Sequence, residues 1–198
     1  MTVVAGFDPA AGFGFGFYDM SRPPSAIESG SLKLEGDILD KLFQMRQQLV
    51  PLIRQYKPAF AVVESPFKFA PRYQKQPKRD MLTGVITEEP GEGEMTINPA
   101  TISHAGQIAG AATMALLAWN IMTVQAAPNE WQHAVIPKSI YAQFGKGMAK
   151  QRAHATCKAL RINSPNVDAR DAALISLFAA GHAQFKLLQQ RTQMAGAA

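Results

Sequence analysis

The sequence predicts an α/β domain, and three observations carry that expectation. Five short runs, around residues 3–7, 12–17, 27–34, 60–63 and 121–126, have the apolar or alternating character of strands. Longer stretches repeat apolar residues at helical spacing. The order then reads strand, strand, strand, helix, strand, helix, strand, helix, helix, which suits one sheet with helices packed on it. At 198 residues a single domain, 1–198, has a core large enough to stand alone.

The first strand carries Val3, Val4, Ala5 and Phe7, and places Asp8 in the middle of a core-type stretch just before Pro9. A buried, unpaired carboxylate is costly, so Asp8 needs a partner or an opening onto a cleft; capping a turn is the plainer alternative. Gly12, Gly14 and Gly16 alternate with Phe13, Phe15 and Phe17, as the second strand of a hairpin would. The small face of that strand leaves room for a ligand to approach. Pro23 and Pro24 mark a turn before the third strand, 27–34. Asp37 opens a helix whose Ile38, Leu42, Met45, Leu49, Leu52 and Ile53 share a face; Pro51 bends it or marks its last turn, and Lys57 and Pro58 end it. The run Phe60 to Val63 reads as a buried central strand with Glu64 at its terminus.

The composition then changes. Phe67, Lys68, Phe69, Arg72, Tyr73, Lys75, Lys78 and Arg79 interleave rings with cations, and three prolines argue against a regular element. Cations neutralise phosphates and rings stack on exposed bases, so these eight are the expected DNA contacts; a solvated loop anchored by its aromatics is the alternative. Glu88, Glu89, Glu92 and Glu94 follow, and 68–97 is expected to be a mobile basic and acidic insertion. A helix over 101–120, rich in small residues, suits close packing on a helix, a sheet or a second subunit. After the strand at 121–126, Pro128 and Asn129 turn the chain toward Trp131, Gln132 and His133, and 135–144 reads as a short helix. Gly145 and Gly147 lead into a helix over 148–160, with Lys146, Lys150, Arg152 and Lys158 on or near it. The stretch lacks the glycine spacing and the Ser or Thr after Lys of a nucleotide-hydrolase phosphate loop. A last helix spans 168–190, with 186–198 expected as a flexible tail. Asp168 and Asp171 stand on one face at its start. Capping explains one of them, and a bound cation would explain both.

The net charge of +5 fits a polyanion partner. Cys157 is the only cysteine, which excludes an internal disulfide and a cysteine-type zinc cluster and favours a reducing compartment. The start has no basic leader region, so no signal peptide is expected, and the longest apolar stretch, 108–119, is too short to span a bilayer.

Asp8, Glu64, Asp168 and Asp171 come from distant parts of the chain and can converge. Four acids in one pocket raise one another's pKa unless divalent cations neutralise them, and Mg²⁺ or Mn²⁺ takes carboxylate and water oxygens without histidine or cysteine. Two such ions make a phosphodiesterase site. The succession GFDPA, VVES, AGQIAGA, GKGMAKQ and VDARDAALISLFAAGH resembles the RuvC-type Holliday junction resolvases of the ribonuclease H-like superfamily, as a divergent member, from residue 3 to 182 outside the insertion. The resemblance implies a mixed five-stranded sheet flanked by helices and a metal-dependent endonuclease that nicks four-way DNA junctions, leaving 5′ phosphates and 3′ hydroxyls. It implies Asp8, Glu64, Asp168 and Asp171 as ligands of two Mg²⁺ ions, with Mn²⁺ as a substitute. Gly106 and Gln107 match its second helix, Lys150 its phosphate-binding lysine, and Phe67 the aromatic placed against unstacked bases. Lys146 and Arg152 join the DNA contacts. It further implies a homodimer, working in bacterial cytoplasm or, if virus-encoded, in that of the host. Where the family often has a basic residue this chain has Trp131, leaving His133 or Lys138 as substitutes. A nuclease for flaps, forks or RNA–DNA hybrids, and a non-catalytic branched-DNA-binding protein, are the alternatives.

Overall fold

The computed structural model describes residues 2–9, 12–66, 78–79, 83, 86–88, 99–145 and 147–196. β1 (Val3–Asp8) and β2 (Phe13–Asp19) form the hairpin, with Gly6 opposite Gly16 and Asp8 opposite Gly14. A 3-10 turn at Pro24–Ala26 leads to β3 (Glu28–Leu32), antiparallel to β2. α1 (Ile38–Tyr56) crosses to β4 (Phe60–Glu64), which lies parallel to β1. β5 (Lys78–Arg79) and β6 (Ile86–Glu88) pair antiparallel as a small separate ribbon. α2 (Pro99–Ala118) then leads to β7 (Met122–Ala126), parallel to β4. The main sheet is mixed and five-stranded, in the order β3-β2-β1-β4-β7. α3 (Pro128–Val135), α4 (Lys138–Gln143), α5 (Ala149–Leu160), α6 (Val167–Gly181) and α7 (Ala183–Gly196) complete the chain. This is the α/β class read from the sequence.

Successive strand residues point to opposite faces, and both faces are buried here. Val3, Ala5, Phe7, Phe13, Ala61 and Val63 pack with Met45, Leu49 and Ile53 of α1 and Ile108, Ala112 and Leu116 of α2. Val4, Phe60 and Val62 pack with Trp131, Cys157, Leu174 and Ile175 on the other side. Asp8 and Glu64 continue the even-numbered series, so both belong to the face that α6 covers.

α1 begins as expected: the Asp40 amide donates to the Asp37 carboxylate at 2.9 Å, and the Asp37 amide to Asp40 at 3.3 Å. It runs through Pro51 and ends at Lys57 in the left-handed region, φ 46°. Elsewhere the chain departs from expectation. Pro128 does not turn the chain but starts α3, where a missing N–H costs nothing. The helix expected over 135–144 is instead the end of α3 and then α4, divided at Pro137, which cannot continue a helix begun before it. The helix expected over 168–190 breaks at extended His182, whose ring lies 5.5 Å from Phe60 and 5.3 Å from Phe178. The chain stays helical to Gly196 where a tail was expected from 186, and Phe185 at its base is buried 5.4 Å from Phe60. Of the insertion, the β5–β6 pair gives strand backbone where prolines argued against regular structure.

The glycine face receives a helix rather than a ligand. A Cβ on Gly16 would stand 2.6 Å from the Ala172 carbonyl oxygen, and one on Gly6 or Gly14 would collide with the backbone at Ser176 or Asp168. Bare sheet backbone lets α6 sink onto β1 and β2. That seat fixes where α6 begins.

Candidate active site

The parallel pairing of β1 and β4 sets Phe7 beside Val63, so Asp8 and Glu64 leave neighbouring strand ends together and on one face. Asp8 is 6% exposed. Across the hairpin from Asp8 lies Gly14, whose α-carbon abuts the Asp168 carbonyl at the start of α6. Asn166 caps that helix, accepting from the Ala169 amide at 2.9 Å. Neither aspartate is needed as a cap, contrary to the assignment of one of them to that role.

The field within this corner is acidic. Burial pushes the Glu64 carboxyl up to about 7; the Trp131 indole opposes the shift, and Asp171 adds to it. Burial also raises Asp171 to about 6, with Arg170 and Lys150 opposing and Asp168 reinforcing. Asp168 is raised by burial too, against a Gly12 backbone hydrogen bond and the Lys150 charge. Asp171 thus links the group, acting on Glu64 and feeling Asp168 and Lys150. Asp171 Oδ1 is buried and has no hydrogen-bond partner among the described residues. Among those residues, no three His, Cys, Asp or Glu side chains converge closely enough as placed to hold an ion. The donor types still suit a hard divalent cation: two carboxylates at adjacent strand ends and two at the start of the covering helix, one of them with a buried oxygen that has no hydrogen-bond partner among the described residues.

Trp131 sits in α3, just past the end of β7, which flanks β4. It is 1% exposed, and its Nε1–H donates to Glu64 Oε2 at 2.5 Å. The position expected to hold a cation therefore holds a buried neutral donor. His133 is exposed and stacks on Tyr141 at 5.2 Å, and Lys138 is exposed at the start of α4. The Trp131 contact spans 67 residues of sequence, and only its indole N–H hinted at a polar partner.

Lys150 is exposed near the start of α5. Arg152 is engaged within the protein: its guanidinium lies 4.5 Å from the Tyr141 ring centre and donates to the Gly145 carbonyl at 3.3 Å. Gln107 is exposed on α2 and donates to Ser103, and Gly106 approaches Pro66 just beyond β4. Phe67, Lys68, Phe69, Arg72, Tyr73, Lys75 and Lys146 lie outside the described residues; Lys78 and Arg79 are described only as strand backbone.

The structure is thus an α/β architecture with a mixed five-stranded sheet, carrying acids at two adjacent parallel strand ends and at the start of the covering helix. No protein-family model and no curated protein matches the chain. Among solved structures, it is similar to Thermus thermophilus RuvC in complex with a Holliday junction substrate, at 14% identity and TM-score 0.56, over 91% of this chain and 95% of that one. A second T. thermophilus RuvC structure matches at 16% identity and TM-score 0.55, over 90% and 95%. The yeast mitochondrial Holliday junction resolvase Ydc2 stands further off, at 11% identity and TM-score 0.42, over 87% and 76%. The fold is similar to that of RuvC over nine tenths of the chain.

Proposed function

We propose that the chain is a metal-dependent endonuclease that cuts four-way DNA junctions. What supports this reading is that Asp8 and Glu64 leave adjacent ends of β1 and β4 on the face that α6 covers, that the first turns of α6 carry Asp168 and Asp171, and that the fold is similar to that of RuvC. Those four residues would hold two Mg²⁺ ions, or Mn²⁺ in their place. Bound there, the ions supply an activated water and stabilise charge on the attacking and leaving oxygens, consistent with 5′-phosphate and 3′-hydroxyl products. Lys150 meets the scissile phosphate as a point charge. Trp131 holds one oxygen of Glu64, so the other is the one that would coordinate. Low exposure at Asp8 and around Glu64 limits competing water.

The working unit in this reading is a homodimer in the cytoplasm of a bacterium or of an infected host. Ser103, Gln107, Gly110, Met114 and Leu117 repeat at alternating steps of four and three along α2. Met114 and Leu117 are exposed, and a Cβ on Gly110 would meet no atom within 4 Å. A second copy would cover that stripe.

The test is cleavage of a labelled mobile junction beside linear duplex, a flap and an RNA–DNA hybrid, with Mg²⁺, Mn²⁺ or chelator. Paired nicks confined to the junction and abolished by chelator are expected, and Asp8→Asn should lose cleavage while keeping junction binding. Cutting of the flap or hybrid instead would move the protein to another nuclease class. Tight junction binding without cleavage would make it a branched-DNA-binding protein.

A further inference from the structure

We infer that the outer face of α5, together with Arg170 of α6, is a phosphate track that carries one DNA strand away from the cutting site. The inference rests on the nuclease reading and adds the path of the substrate beyond the reacting phosphate.

Lys150, His154 and Lys158 recur every four residues, so they share one face of α5. With Phe144, Gln151 and Arg170 they line an open groove of about 510 Å³. Its lining contains three permanently or strongly cationic side chains and no carboxylate. Eight residues of helix span about 12 Å, which corresponds to about three phosphates along one strand.

The groove has a defined beginning. Lys150 stands at the N-terminal end of α5 and its charge reaches both Asp168 and Asp171, while the Arg170 charge reaches Asp171 as well. His154 and Lys158 lie progressively further along the helix. Arg170 stands between the two aspartates in sequence, and its Nε is buried without a hydrogen-bond partner among the described residues. Its guanidinium lines the groove beside Lys150 and Lys158 and adds a fixed charge suited to a phosphate. A strand held by Lys150 at the acids would meet Arg170 and then Lys158 as it leaves. The regular spacing favours a polyanion with repeating charge over a single small anion.

The experiment measures anisotropy of a fluorescent four-way junction in chelator across a series of KCl concentrations. Lys158→Gln combined with Arg170→Gln should weaken binding and flatten the slope of log affinity against log salt by about 2. Lys158→Gln alone alters an exposed side chain and should flatten it by about 1, which keeps the test valid if the double variant folds poorly. Lys41→Gln with Arg46→Gln removes equal charge from α1, on the opposite sheet face, and should leave the slope unchanged. Unchanged slopes in the Lys158 variants, or equal flattening in the α1 control, would overturn the track. Cleavage by the intact chain in Mg²⁺ is scored separately. Junction cleavage with unchanged Lys158 slopes removes only the track; flattened slopes without cleavage remove only the nuclease reading; an intact chain that binds no DNA removes both.

Discussion

Trp131→Phe isolates the indole N–H from the rest of the site. The ring is fully buried, and its hydrogen bond at 2.5 Å anchors the Glu64 carboxylate. A hydrogen bond to a charged group contributes about 1.5–3 kcal/mol net, and its loss leaves a desolvated oxygen free to rotate. If that energy is used to orient Glu64 toward a cation, the variant should bind Mn²⁺ about 10- to 100-fold more weakly, as other outer-shell substitutions do. The assay is calorimetric titration of Mn²⁺ into the intact and variant proteins. A second readout comes from Trp119→Phe, which removes the exposed indole and leaves Trp131 as the only tryptophan. Mn²⁺ should quench its emission over the same concentrations that produce heat. Phenylalanine also leaves a small cavity, so the melting temperature is measured alongside. Equal Mn²⁺ affinity in a folded Trp131→Phe protein, with equal junction cleavage, would refute the orienting role.

Lys150→Gln should lower the cleavage rate about 10²- to 10³-fold while weakening junction binding much less, checked by single-turnover cleavage against anisotropy. Gly16→Ala should destabilise the protein by about 3 kcal/mol, because the new Cβ falls 2.6 Å from the Ala172 carbonyl oxygen and 2.8 Å from the Ala173 α-carbon; the urea midpoint reads this directly. Burial holds the His182 pKa below 6.5, against a smaller opposing pull from Glu130, and the Gln184 amide donates to its Nδ1. The unfolded chain therefore takes up the proton first. Stability from the neutral ring is complete above pH 6.5 and declines as pH falls through the folded value, so the intact protein should lose stability relative to His182→Phe as pH falls below 6.5. A relative gain over that interval would reverse the assignment.

The strands were legible because their apolar runs are short and bounded by turn residues, and the Asp37 capping box was legible because its partners are three residues apart. The four acids stood out as acids in or beside apolar stretches. Boundaries involving proline were harder to read. Pro128 reads as a turn residue, yet the same missing N–H suits the first position of α3. The break at His182 depends on Phe60, more than a hundred residues earlier, receiving the ring. The contact between Trp131 and Glu64 likewise exists only once β7 lies beside β4. The basic spacing of α5 was present in the sequence, but its meaning depended on Arg170 joining it from α6.

The glycines of β1 and β2 connect the fold to its chemistry. As a sequence pattern they suggested room for a ligand, but the space is filled by α6. With ordinary side chains at Gly6, Gly14 and Gly16, α6 would ride higher above the sheet. Its first turn would then move away from the strand ends that carry Asp8 and Glu64. Close packing along the first part of the helix thus governs how far the carboxylates of its first turns stand from those at the strand ends. A change that merely lifts α6 should therefore impair cation binding without altering any acid, and Gly16→Ala permits that comparison because its site of contact is Ala172, on the helix just beyond Asp171.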